Sequence, residues 1–97
     1  MPKAITNKIV ECRTPSGLTA RMERWYYENI RTALLEILPA PGVNAELYEL
    51  NKRVYQALDP HTRDTIESLS WHVAWVRLDL ETEGLLKRDA AYVERIK

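Results

Sequence analysis

The 97 residues carry 45% hydrophobic and 29% charged side chains, an ordinary balance for one globular domain, which sets aside a disordered chain or a multidomain one. Fourteen lysines and arginines offset fourteen acids, so no global field draws the chain to a polyanion, although a local basic patch is compatible with that total. The lone cysteine, Cys12, rules out an internal disulfide and any multi-cysteine zinc or iron–sulfur site, and apolar runs stop far short of the ~20 residues a membrane span needs.

The start, Met1-Pro2-Lys3-Ala4-Ile5-Thr6-Asn7, lacks the apolar core of a secretion signal, so a cytoplasmic location is expected. Residues 1–8 are expected to be flexible within a single domain spanning 1–97, which at this size buries roughly 60 to 65% of its unfolded surface. Ile9–Arg13 and Leu18–Met22 alternate loosely around the turn formers Thr14-Pro15-Ser16-Gly17, predicting a β-hairpin, with the first strand also readable as an extended arm. From about Glu23 the period becomes helical, with Tyr27, Ile30, Leu34, Ile37 and Leu38 on one stripe until Pro39 stops it. Glu28 and Arg31 are spaced to pair on its outer face. Pro39-Ala40-Pro41-Gly42 forms a turn, and Asn44 is a suitable N-cap for a second helix with Leu47, Leu50, Val54 and Leu58 inward and Glu46 near its positive end.

Asp59-Pro60 is another capped start, with proline at the first helical position. Either one helix runs from there to Glu83, or a short turn ends near Ile66 and a new helix begins at Ser68 or Ser70. The break is favoured, because 24 uninterrupted helical residues would be long for this domain. Beyond Gly84, Leu85-Leu86-Lys87-Arg88 and Tyr92–Ile96 flank Asp89-Ala90-Ala91 as a second hairpin. An apolar helix, a glycine stop and a basic strand predict an α+β winged helix-turn-helix. It would have an N-terminal β-hairpin or arm, three main helices and a C-terminal hairpin wing.

The segment His72-Val73-Ala74-Trp75-Val76-Arg77, then Leu80, then Gly84-Leu85-Leu86, resembles the winged-helix domain at the N-terminus of Mrr-type restriction endonucleases. More broadly, Trp71, Val76-Arg77-Leu78-Asp79-Leu80-Glu81 and Gly84-Leu85 are similar to a family of small stand-alone bacterial proteins of uncharacterised function, over about Ile9 to Ile96. The first resemblance implies a DNA-recognition fold without a nuclease domain. The second implies only that the fold is used alone.

On a helical projection Ile66, Leu69, Val73, Val76 and Leu80 form the core side, while Trp71, Trp75, Leu78 and Thr82 form a nearly opposite apolar face. Either the hairpin or first helix covers that face, or Trp71, Trp75 and Leu78 anchor a dimer or partner. Asp79, Glu81 and Glu83 in the last turns would repel phosphates, leaving Ser68, Ser70 and His72, with Arg63 before them, as DNA-facing candidates at the helix start. None supplies the bidentate reading that discriminates bases strongly. Lys87, Arg88, Arg95 and Lys97 on the wing suit phosphate contact, or equally a charged strand edge that resists aggregation. Arg77 is spaced to pair with Glu81.

Asp59, His61 and Asp64 are better explained by helix capping than by a metal, and no nucleophile or phosphate-loop signature occurs, so neither an enzyme, a cofactor nor a small-molecule substrate is expected. The expected function is double-stranded DNA binding, as in a transcriptional regulator, with a homodimer expected. The competing expectation is a protein-interaction or dimerisation module that keeps the fold without binding DNA.

Overall fold

The computed structural model describes residues 8–97 and the backbone of Lys3–Ala4. Alternation is reproduced in the first hairpin, β2 (Ile9–Arg13) and β3 (Thr19–Glu23), antiparallel with Ile9 opposite Glu23 and Arg13 opposite Thr19. Val10, Cys12 and Met22 point into the core. Leu18, expected to share a side with Met22, belongs to the turn instead and is exposed. There its N–H donates to Thr14 Oγ1 (3.0 Å), and Gly17 adopts φ +93°. A short strand β1 (Lys3–Ala4) pairs with the free edge of β2, so the arm and the hairpin are parts of one three-stranded meander. Most of the stretch 1–8 expected to be flexible lies outside the described residues.

Helix α1 (Arg24–Ile37) buries Tyr27, Ile30, Ala33 and Leu34, the three- and four-residue spacing of one helical face. Arg31 reaches Glu83 (3.7 Å), a different partner from the Glu28 expected within the helix. At the far end the carbonyl of Leu38 accepts from Arg95 Nη1 (2.8 Å), a cation placed where the helix dipole favours one.

Asn44 is not a helix cap: Asn44–Glu46 is a strand, β4, paired antiparallel with β6 (Tyr92–Arg95), Ala45 opposite Val93. Ala45 and Val93 are both buried, and pairing gives the backbone here the partners a helix would otherwise supply. Glu46 ends that strand and stands directly before the helical segment, near its start as expected, though its side chain makes no cap bond. A single 3₁₀ turn, Leu47–Glu49, then leads into α2 (Leu50–Ala57), where Leu50, Val54 and Leu58 turn inward as expected.

The break after residue 60 is present, and the expected short turn is a helix in its own right, giving four helices where three main ones were anticipated. In α3 (Pro60–Thr65) proline holds the first turn and Asp59 caps it, accepting from Thr62 N–H at 3.0 Å. Ser68 then takes left-handed angles (φ 52°, ψ 52°) and turns the chain into α4 (Leu69–Thr82). Its side chain makes no cap bond; its carbonyl accepts from the His72 amide at 3.2 Å. Val73, Val76 and Leu80 form the buried face of α4, with Ile66 and Leu69 packed partly against the core. Gly84 (φ +80°) ends the helix, and β5 (Leu86–Asp89) turns through Ala90-Ala91 into β6. The second sheet runs β4-β6-β5.

Helix α4 is central, in contact with α1, α2, β2 and β5. Ala90 sits at φ 54°, a conformation that costs a side chain with a Cβ about 1–2 kcal/mol. Ala90→Gly is therefore expected to raise stability by about 0.5–1 kcal/mol, read as a higher urea midpoint at unchanged slope; a lower midpoint would show that this turn is not strained.

Candidate interaction surface

The centre of the molecule is polar at one point. Asp79, on the side of α4 that meets both α1 and β2, is almost fully buried. Its Oδ1 accepts from the backbone N–H of Arg13 (3.1 Å) and its Oδ2 from the hydroxyl of Tyr27 (2.9 Å). One turn later Thr82 Oγ1 donates to the carbonyl of Arg13 at 3.0 Å. Two side chains of α4 thus take both backbone groups of one β2 residue. Burial pushes the Asp79 carboxyl above its ordinary range, opposed by the hydrogen bonds from Arg13 and Tyr27. Burial also raises the Tyr27 hydroxyl, with the Asp79 charge adding to it. The Cys12 thiol goes up to about 12, first through burial and then through Asp79, which keeps it protonated and unreactive at neutral pH.

Asp79 is therefore not a surface charge facing phosphate, as expected from the projection, but an internal tie. The other two acids of this end are also engaged, Glu81 with Arg77 one turn back and Glu83 with Arg31. The Arg77–Glu81 pair is the expected one.

The second apolar face of α4 is split by this docking. Its C-terminal half lies against β2, and Leu78 is half-buried. In the N-terminal half Trp75 is half-buried against the core, whereas Trp71 keeps 40% of its surface exposed. From Trp71 a file of rings crosses three elements. Trp71 meets Trp75 (centroids 6.3 Å) and His72 (4.9 Å), and His72 meets Tyr26 at the start of α1 (5.2 Å). Tyr26 meets Trp25 (4.9 Å), and Trp25, 41% exposed, meets His61 of α3 (5.4 Å). The Tyr26 hydroxyl donates to the Thr65 carbonyl (3.0 Å) and His72 Nδ1 to the Ser68 carbonyl (3.0 Å). A carbonyl only accepts, so Nδ1 carries the proton and Nε2 is left as the acceptor of the neutral ring. Rings fixed in this way form a rigid surface that loses little side-chain entropy on binding.

The DNA-facing candidates are dispersed. Arg63 donates from Nη2 to the Gln56 carbonyl (3.1 Å) and lies over the Tyr55 ring at 5.7 Å, which turns it towards α2. Arg95 is used at Leu38. Ser68 and Ser70 are exposed, Ser70 beside Asn51 in the groove between α2 and α4, and His72 stands in the ring file. Lys87 and Arg88 are exposed on β5, Arg88 donating from Nε to the Ala90 carbonyl (3.1 Å). Of the partner-facing candidates the structure brings Trp71 and Trp75 together and puts Leu78 one turn on.

Trp25, Tyr26 and His61 were missed as members of this surface. The signal for the first two was available: they flank Tyr27 but stand off the buried stripe of α1. Among the described residues no three His, Cys, Asp or Glu side chains cluster as a metal site would need, and no helix is long and apolar enough to cross a membrane.

These features define a small mixed α+β domain of four helices and two antiparallel sheets, organised around a central helix and bearing an exposed file of aromatic rings. The chain belongs to DUF6958, a family of unknown function whose model matches residues 9–96. That match agrees with the resemblance to a small uncharacterised family; the likeness to Mrr-type domains is not among the findings. No curated protein and no solved structure matches the chain.

Asp79→Ala leaves the Arg13 N–H and the Tyr27 hydroxyl buried without partners and is expected to cost about 2–4 kcal/mol in urea unfolding. Asp79→Asn keeps an acceptor for Arg13 and offers Tyr27 a donor in place of its acceptor, so that the hydroxyl can accept instead, and it should cost less. Because the carboxyl is raised in the folded state, the folded protein still holds the proton where the unfolded chain has released it, and stability falls as pH rises from about 4. The wild type should show this fall relative to Asp79→Asn and then level off; parallel profiles would contradict it.

Proposed function

We propose that the chain is a winged-helix domain that works in the cytoplasm, without catalysis, by binding a protein partner through its aromatic surface. The fold reading is supported by element order. From α1 the chain runs helix, strand, helix, helix, helix, strand, strand, and the sheet order β4-β6-β5 places the last strand between the other two. In that reading α2 and α4 are the helix-turn-helix pair, α3 an inserted turn, and β5–β6 the wing.

The observation that carries the function is the exposure of Trp25 and Trp71 at separate points of one continuous ring file. A base-reading helix needs polar side chains at its leading half. Here that half presents Trp71 and Trp75, with Ser70 exposed and His72 taken up in the ring file but no Arg, Lys, Asn or Gln, and the trailing half is tied to β2. Exposed tryptophans held by their neighbours are instead the usual anchors of protein interfaces.

A second reading, duplex DNA binding, is favoured by one observation: Lys87 and Arg88 are both exposed on the strand that would edge the wing. The two readings separate experimentally. Trp25→Ser with Trp71→Ser should abolish capture of partner proteins from extract of the native cell while far-UV circular dichroism stays unchanged; undiminished capture would refute the association reading. In the DNA reading, Lys87→Glu with Arg88→Glu weakens binding to mixed-sequence duplex and reduces its salt dependence. Absence of any duplex binding at low salt by the wild type would remove that reading.

A further inference from the structure

Both sheets end in open strands, and the open strands differ in the charges they present. In the first sheet β3 is an outer strand, with β2 on one side only. The Thr14 N–H donates to the Leu18 carbonyl (2.9 Å) and the Arg24 N–H to the Lys8 carbonyl (2.6 Å), which fixes the parity of the ladder between them. Ala20 and Met22 therefore turn their backbone groups to β2, while the backbone groups of Thr19 and Arg21 and the amide of Glu23 face the open side. The side chains of Thr19, Arg21 and Glu23 are all exposed. Arg21 and Glu23, two apart, share one face of the strand with opposite charges. Among the described residues neither is in an ion pair, although Arg21 stands opposite Glu11 on β2.

An edge of this kind accepts another strand. Antiparallel pairing joins residues whose backbone groups both point outward, which leaves a second copy of β3 only a few registers. Centred on Ala20, Arg21 meets Thr19 and Glu23 meets no cation. Centred on Arg21, the two arginines oppose each other. Centred on Met22, Arg21 of each copy lies opposite Glu23 of the other, so one two-fold axis matches all four charges. That register also lays the end of each strand that carries exposed Leu18 beside the end from which Trp25 follows in the other copy. The outer strand β5 of the second sheet has no such match. Its exposed Lys87 and Arg88 are adjacent, and a copy centred on either residue sets that cation against its like.

We infer that the chain pairs with a second copy of itself through β3, antiparallel about Met22, with Arg21 and Glu23 bridging the two chains. The two meanders then form one continuous sheet. This goes beyond the reading of the ring file as a partner surface, since it uses the edge of the meander and needs neither Trp71 nor His72.

The test is the oligomeric state of the full chain by sedimentation velocity over a range of concentrations, with the amides followed by NMR. The wild type should pass from monomer to dimer as concentration rises. The amide signals of Arg21 and Glu23 should move with it, and those of Ala20 and Met22, already bonded to β2, much less. Arg21→Glu sets acid against acid at both pairs and should weaken the dimer by roughly tenfold or more, as should Glu23→Arg. Arg21→Glu combined with Glu23→Arg restores both pairs in the same register and should dimerise like the wild type. All these positions are exposed, so far-UV circular dichroism should stay unchanged throughout.

A wild type that stays monomeric at millimolar concentration would overturn the proposal. So would single reversals that dimerise as tightly as the wild type, a double exchange no tighter than either single one, or a dimer whose concentration-dependent shifts fall on the ring file and spare Arg21 and Glu23. The association reading fails separately, on undiminished capture by the tryptophan variant.

Discussion

The arrangement depends on a carboxylate placed where a helix would ordinarily present an apolar side chain. Asp79 sits deep beside the core, and its two oxygens are satisfied by groups from different elements, the amide of Arg13 on β2 and the hydroxyl of Tyr27 on α1. A buried ionisable group without partners is costly, so the geometry that satisfies Asp79 is strongly selected over near alternatives. That geometry lays the N-terminal meander on the trailing half of α4, where Thr82 completes the grip on Arg13. Val10, Cys12 and Met22 then bury the apolar side of the meander against the same core.

Docking at one end of α4 decides what is left at the other. Tyr27 is fixed by Asp79, and its neighbours Trp25 and Tyr26 are thereby carried to the side of α1 that meets α3 and the start of α4. There His61, His72 and Trp71 complete the file of rings. The internal tie and the external surface are thus two consequences of how α1 packs on α4. The pairing of Arg77 with Glu81 and of Arg31 with Glu83 engages the other two acids of the trailing turns of α4.

Much of the architecture was legible in the chain because it follows from local rules. The Pro60 start, the break before Leu69, the glycine stop at Gly84 and both hairpins follow from caps, proline and alternation. What escaped was non-local. Asn44 has the side chain of a helix cap, and only its pairing with Glu94 across β6 makes it a strand residue. Asp79 looked like a surface acid because a projection of one helix cannot show that β2 and α1 converge on it. The rings at Trp71 and Trp75 were visible as an odd second face, but their continuation through Tyr26, Trp25 and His61 needed three elements brought together. A buried tyrosine in the stripe of α1 was the available hint, since its hydroxyl must find an acceptor somewhere.

The account turns on the meander being held to α4 through the backbone of Arg13, and hydrogen–deuterium exchange at that single amide tests it most directly. If Asp79 holds it, the Arg13 N–H exchanges only through global unfolding, as slowly as the amides of Val76 and Leu80 in the middle of α4. Rapid exchange at Arg13 while those core amides remain protected would mean that the meander opens freely from α4. The trailing half of the helix would then be available as a surface, contrary to the division of α4 described above.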